Sequence, residues 1–186
     1  MTELIEYYKG IFTILSSCAS RQLEEVTFRR TVIPVQELLD AAGKYFKKSM
    51  KNRSERIELE IEPMEAKVIG DVNQLRFLLE NLIDEALTVR EDGLIRLQAR
   101  QDNEYIRFLF TDTRREKSVE ELNQLFYPNL ARMTSGEKGE LRGTEYLVCK
   151  QIIRDHDEFA GRRGCRINAE PAEGGGFTVY FTIPRR

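Results

Sequence analysis

The sequence predicts an α+β domain: a two-layer α/β sandwich with one mixed sheet covered by helices on one face, preceded by an N-terminal helix. Three observations carry this reading. Residues 71–87 (DVNQLRFLLENLIDEAL) set Val72, Leu75, Leu78, Leu79, Leu82, Ile83, Ala86 and Leu87 on one broad apolar helical face. Phe177, Val179, Phe181 and Ile183 alternate with Thr178, Tyr180 and Thr182, as a strand requires. The elements follow as helix, helix, strand, helix, strand, strand, helix, loop, helix, strand, strand. That order returns from helix to hairpin without a repeating βαβ unit.

Thr2 to Glu25 reads as a helix, with Leu4, Ile5, Tyr8, Ile11, Phe12, Leu15, Cys18, Ala19 and Leu23 along one stripe. So much apolar surface on a terminal helix needs a partner, either the body of the domain or the same helix of a second chain. Val26 to Ile33 reads as an extended connector, because the residue before Pro34 is pushed out of the helical region. Pro34 suits the first turn of the next helix. There Val35, Leu38, Leu39, Ala42, Phe46 and Met50 keep helical spacing, and Lys44, Lys47, Lys48 and Lys51 gather toward the C-terminal end, where the dipole favours cations.

Arg56 to Glu62 alternates as a strand covered on one side, and Pro63 ends it. Val68 to Gly70 is a short link into the helix that follows, for which Asp71 is the N-cap. Glu91-Asp92-Gly93 turns the chain into a hairpin of Leu94–Arg100 and Tyr105–Thr111. Ser118, with Glu121 three residues on, forms a capping box opening a short helix to Phe126. Tyr127 to Gly143 carries glycines and a proline but little periodicity, and reads as a mobile loop. Thr144 to His156 is helical, Asp157 to Gly164 a charged loop, Arg166 to Ala169 a short strand, and Pro171 to Gly176 a turn into the last strand.

Composition narrows the function. Of the 186 residues 41% are apolar and 32% charged, the balance of a folded soluble domain. The net charge of −2 argues against nucleic acid as the main partner. Three widely spaced cysteines without a C-x-x-C pair, and a single histidine, fit neither a disulfide framework nor a multi-histidine metal site. His156 is expected to be structural. No apolar run is long enough to span a membrane. Asn81 and Glu85, one turn apart on the central helix, point the same way, and by themselves suit either a polar pocket or a wet face.

Four places together resemble the ATP-binding domain of sensor histidine kinases, in the superfamily shared with gyrase, MutL and the anti-sigma-factor kinases (GHKL). Gly70-Asp71 through Asn81-Leu82-Ile83-Asp84-Glu85-Ala86 is similar to the N-box helix. Phe110-Thr111-Asp112-Thr113 resembles the strand end that opens the D-x-G-x-G box. Leu125-Phe126-Tyr127-Pro128 resembles the phenylalanine motif before the ATP lid. Gly143-Thr144-Glu145 with its helix, closed by Gly176-Phe177-Thr178, resembles the second glycine box and the final strand. The match covers Pro34 to Pro184.

The resemblance implies two units: residues 1–33, a dimerisation-type helix and connector, and residues 34–186, the ATPase-like domain. It implies a nucleotide site of Asn81, Glu85, Asp112, Arg114, Gly143, Thr144 and Thr178, with Asp112 accepting from the adenine amino group and Glu85 at the magnesium position. No residue of this chain is implied as catalytic, since the phosphate-accepting histidine would lie outside it. The implied cofactors are ATP and Mg²⁺ if the site functions, and none if it does not. The implied partners are a second copy through the N-terminal helix and a response regulator or other signalling protein, in the cytoplasm or on the cytoplasmic side of a membrane-bound parent, without direct membrane contact from this chain.

The sequence also departs from the motif. Glu85 replaces the metal-binding asparagine, Arg114 and Glu116 replace the two glycines of D-x-G-x-G, and Glu145 replaces a glycine of the second box. Two like charges about 4 Å apart repel by roughly 4 kcal/mol at an effective dielectric near 20, so Glu85 and Glu145 oppose a triphosphate unless a cation intervenes. Magnesium could intervene, because carboxylate is a good ligand for it. Arg114 or Arg115 could instead offer phosphate contacts. Three functions stay open: a degenerate ATPase-like signalling module, an active ATP-binding kinase domain acting on a histidine elsewhere, and a phosphotransfer or anti-sigma-like binding module. Whether the space beside Asp112 is open or filled by Arg114 bears most directly on the choice.

Overall fold

The computed structural model describes residues 28–127 and 144–186, together with Leu4, Ile5, Tyr8, Lys9, Thr134, Ser135, Leu141 and Arg142. Its elements in chain order are β1 (Thr31–Pro34), α1 (Val35–Met50), β2 (Ile57–Ile61), β3 (Lys67–Gly70), α2 (Val72–Ala86), β4 (Gly93–Asp102), β5 (Tyr105–Asp112), α3 (Val119–Gln124), β6 (Thr134–Ser135), β7 (Leu141–Arg142), α4 (Glu145–Phe159), β8 (Ile167–Pro171) and β9 (Phe177–Pro184). Five strands form one sheet in the order β2-β4-β5-β9-β8. Only the β2–β4 pair is parallel, and the other three pairs are antiparallel, so the sheet is mixed.

The alternation read from the sequence explains which face is covered. In β5, Ile106, Phe108 and Phe110 are buried while the residues between them are half-exposed. Phe108 lies opposite Phe181 of β9, and their rings stack at 4.9 Å between centroids. Leu75, Leu78, Leu79, Leu82 and Ile83 of α2 are buried in the same core. Helix α2 is the middle helix of the layer: it packs on α1 and on α4. Burying those five side chains contributes on the order of 1.5–3 kcal/mol each, which is why the helix holds its position over the sheet.

The capping signals behave as their chemistry requires. Asp71 accepts from the backbone N–H groups of Asn73 and Gln74 at the start of α2. Ser118 and Glu121 close a reciprocal capping box on α3.

Three local readings change in the tertiary structure. The extended connector and the short link before Asp71 are both strands: β1 pairs antiparallel with β3, Ile33 opposite Val68. Each is four residues long, too short to show its own periodicity, and β3 also bonds the C-terminal end of the chain, Arg186 N–H donating to the Lys67 carbonyl (3.0 Å). Pro34 ends β1 with extended geometry and precedes α1 as its N-cap. Helix α4 continues through Phe159, into the stretch read as loop.

Leu4, Ile5, Tyr8 and Lys9 are helical, and all four are exposed. The rest of the expected N-terminal helix, including Cys18, lies outside the described residues, as do Gly143, Pro128 and most of the expected loop before it. Two short strands within that loop, β6 and β7, pair antiparallel. Among the described residues no helix is long and apolar enough to cross a membrane.

Candidate functional site

The site forms where the end of β5 meets the C-terminal end of α2. Asp112 is the last residue of β5, paired with Phe177 across the β5–β9 ladder. The close approach of the next strand depends on Gly176, whose φ is +82°. A Cβ there would sit 2.0 Å from the Asp112 carbonyl oxygen, so only glycine fits.

Arg114 fills the space beside Asp112. Its backbone N–H donates to Asp112 Oδ1 (3.0 Å), its Nε–H to the same oxygen (2.9 Å), and its Nη2–H to Oδ2 (2.8 Å). The remaining guanidinium protons donate to backbone carbonyls: Nη1 to Val89 (3.0 Å) and Glu91 (3.1 Å), and Nη2 to Ala86 (2.5 Å). All five guanidinium N–H groups are therefore used inside the chain. The Arg114 and Asp112 side chains are 1% and 5% exposed. The stem of Arg114 lies over Gly93, where a Cβ would meet Arg114 Cγ at 2.6 Å. The planar fork of arginine suits this site, because it can hold one carboxylate with two bonds and still serve three carbonyls.

The other expected site residues are arranged differently. Thr178 joins this corner: its hydroxyl lies 2.8 Å from that of Thr111, directly across the ladder. Asn81 is buried, and its amide donates to the Phe77 carbonyl one turn earlier (2.7 Å), a bond within its own helix. Glu85 is half-buried on α2, one residue before the carbonyl that receives Arg114. Thr144 is the N-cap of α4 but makes no side-chain capping bond. Gly143 lies outside the described residues. Glu116 is exposed, and Arg115 pairs at the surface with Glu91 (2.7 Å).

Acidic groups gather near the C-terminal end of α2. Tyr45 of α1 donates its hydroxyl to Asp84 (2.7 Å). Asp84 is exposed by area, yet the atoms around it remove enough water to raise its pKa, and the charge of Glu145 pushes the same way. Burial and the Asp84 carboxylate raise the Tyr45 hydroxyl to about 12. Glu145 Oε2 is buried without a hydrogen-bond partner, at the first residue of α4. Among the described residues no group of three or more His, Cys, Asp or Glu side chains is placed to hold a metal ion.

Behind the site, His156 of α4 is fully buried. Its Nδ1–H donates to the Ile152 carbonyl (2.8 Å), and its Nε2 accepts from the backbone N–H of Asp71 (3.1 Å). Asp71 Oδ2 in turn accepts from the Arg29 N–H (2.9 Å), and the Phe28 ring meets His156 edge-on at 4.8 Å. One imidazole and one carboxylate thus fasten the segment leading into β1 to α2 and α4.

The sequence left open whether Arg114 fills the space beside Asp112 or reaches out to a phosphate. The signal was present in part, since an arginine two residues after an aspartate at a strand end can fork back onto it. The three carbonyls that complete the cradle carry no side-chain signature. The Tyr45–Asp84 and His156–Asp71 bonds were likewise invisible, because they join residues 39 and 85 positions apart.

Residues 70–186 match the family described as histidine kinase-, DNA gyrase B-, and HSP90-like ATPase. No curated protein matches the chain. Among solved structures, the nucleotide-free catalytic domain of histidine kinase ThkA aligns with a TM-score of 0.65 at 21% identity, over 84% of this chain and 97% of that one. The mycobacterial sensor histidine kinase MprB aligns at 0.64 and 20%, over 85% and 99%. ThkA in complex with the response regulator protein TrrA aligns at 0.65 and 19%, over 96% of this chain and 49% of that one. At such identities the likeness is one of fold.

Proposed function

The chain belongs to the histidine kinase-, DNA gyrase B-, and HSP90-like ATPase family, and on that premise we propose that it is a signalling module whose nucleotide binding is lost or greatly weakened because Arg114 closes the adenine position. The observation that carries this reading is the buried Asp112–Arg114 pair. The family resemblance assigns Asp112 to the adenine amino group, and three of the roughly four lone-pair directions of its carboxylate are taken by Arg114. Neither side chain is more than 5% exposed, so a base reaches Asp112 only if Arg114 leaves.

The residues present fit ATP and Mg²⁺ poorly. The family resemblance puts Glu85 and Glu145 where a triphosphate needs neutral or cationic groups, and Asp84, next to Glu85 on α2, has its pKa raised chiefly by lost hydration, with the charge of Glu145 adding to it. The reading assigns the chain a role through its surfaces. It takes residues 1–33 as a dimerisation-type segment, residues 34–186 as the ATPase-like domain, and a second copy and a response regulator or similar protein as partners. A cytoplasmic location goes with it. The complex of ThkA with TrrA supports the regulator as a class of partner.

Isothermal calorimetry with ATP and Mg²⁺ tests the proposal. The expected result is no saturable heat at micromolar ligand. Arg114→Gly, which reopens the position and restores the family's residue, is expected to give measurable binding if it stays folded. Micromolar binding of ATP to the unmodified chain would overturn the reading.

A further inference from the structure

Helices α1 and α2 run side by side with their C-terminal ends together: Tyr45 bonds Asp84, and Arg53, just past α1, donates to the Leu87 carbonyl (2.7 Å). Their outward stripes, Ala41, Lys44, Tyr45 and Lys48 on α1 and Asn73, Arg76, Phe77 and Glu80 on α2, face each other across an open groove of about 360 Å³. The spacing within each stripe, steps of three and four over two turns, makes this a groove between parallel ridges. It lies on the α1 side of α2. The opposite flank of α2 packs on α4, where the Cys149 thiol donates to the Leu78 carbonyl.

Two features make the groove unlike an ordinary solvated face. Its floor is aromatic: Phe77 is 41% exposed, and the ring of Tyr45 is held in the groove by the bond of its hydroxyl to Asp84. Its walls are cationic: Lys44, Lys48 and Arg76 are exposed, and among the described residues none of the three is in an ion pair. Lys47 adds a further exposed cation on α1. Two carboxylates face them, Glu80 in the lining and Asp84 at the Tyr45 hydroxyl, and against Lys44, Lys47, Lys48 and Arg76 they leave the groove positive. In a chain whose net charge is −2, this concentrates positive charge around exposed aromatic surface.

We propose that this groove docks an acidic amphipathic helix of a protein partner. A helix laid between two helices buries one apolar stripe on Phe77 and Tyr45, while its flanking carboxylates meet Lys44, Lys48 and Arg76. Charge complementarity selects the occupant: a neutral helix leaves the three cations desolvated without partners, and a basic one is repelled. The proposal does not depend on whether nucleotide binds, since the groove uses neither Asp112 nor Arg114.

The test uses the full chain and a fluorescein-labelled helical peptide with leucine on one face and glutamate on both flanks, read by polarisation. A lysine-flanked peptide of the same apolar face is the control. The expected result is saturable binding of the acidic peptide only, weakened at least tenfold by Lys44→Glu/Lys48→Glu and separately by Phe77→Ala. All three positions are exposed, and circular dichroism confirms that the variants keep the fold. No saturable binding at millimolar peptide would overturn the proposal. So would binding indifferent to Phe77→Ala, or displacement of the peptide by a DNA oligonucleotide, which would mark the groove as a polyanion site. Because the double charge reversal leaves Arg114 untouched, ATP calorimetry on the same variant separates a failure here from a failure of the nucleotide reading.

Discussion

Replacing Arg114 with alanine removes one partner of a buried ion pair and leaves the other behind. Asp112 remains as a carboxylate that is 5% exposed, and the carbonyls of Ala86, Val89 and Glu91 lose their donors. Breaking a buried, hydrogen-bonded charge pair from one side destabilises a protein by about 3–5 kcal/mol. That is a large part of the roughly 5–15 kcal/mol that holds a domain of this size together. With a urea m-value near 2 kcal/mol/M, the unfolding midpoint is expected to fall by about 2 M. Urea titrations followed by circular dichroism measure it. Two companions sharpen the test. Arg114→Lys keeps the charge but loses the fork, and is expected to recover less than half of the loss. Asp112→Leu/Arg114→Met removes both charges together and is expected to recover most of it, since an apolar pair of similar volume leaves no orphaned charge. A loss below about 1 kcal/mol for Arg114→Ala would refute the reasoning, because that is the range of an exposed pair.

Two further outcomes follow from the support behind the site. Burial holds the His156 pKa below its ordinary value of 6.5, outweighing its bond to Ile152 and the charge of Asp71. The unfolded chain therefore takes up this proton before the folded one does, and stability is full above about pH 6.5 and falls as the pH drops toward the depressed pKa, by up to about 1.4 kcal/mol per pH unit. Urea midpoints at pH 7.5 and 5.5 check the sign, and His156→Gln is expected to flatten that difference while lowering stability at both. Asp71→Ala removes the cap of α2 and the acceptor for Arg29, with an expected loss of about 1–2 kcal/mol. The Arg29 amide is expected to exchange faster with solvent in that variant, which hydrogen-exchange mass spectrometry reads directly.

The sandwich itself was legible because its long elements carry their own periodicity. The apolar face of α2 and the alternation of β9 are properties of consecutive residues, and burial of those faces admits few arrangements of layers. The caps at Asp71 and Ser118 were legible for the same reason, since a cap acts within one turn. The strands β1 and β3 were not, because four residues hold too little pattern and their pairing joins distant segments.

At the candidate site the division is sharper. The family resemblance implied the adenine position for Asp112, with Arg114 in place of a glycine, and left the arginine free to reach outward to a phosphate or inward to the carboxylate. Only the tertiary structure brings the carbonyls of Ala86, Val89 and Glu91 to the same corner, and those three acceptors turn the guanidinium inward. The same holds for the groove: the lysines of α1 and Phe77 of α2 are plain in the sequence, but their meeting depends on how the two helices cross. Short-range order is written in spacing along the chain. Which groups finally satisfy a buried charge, or share an exposed face, is set by the packing of elements far apart in it.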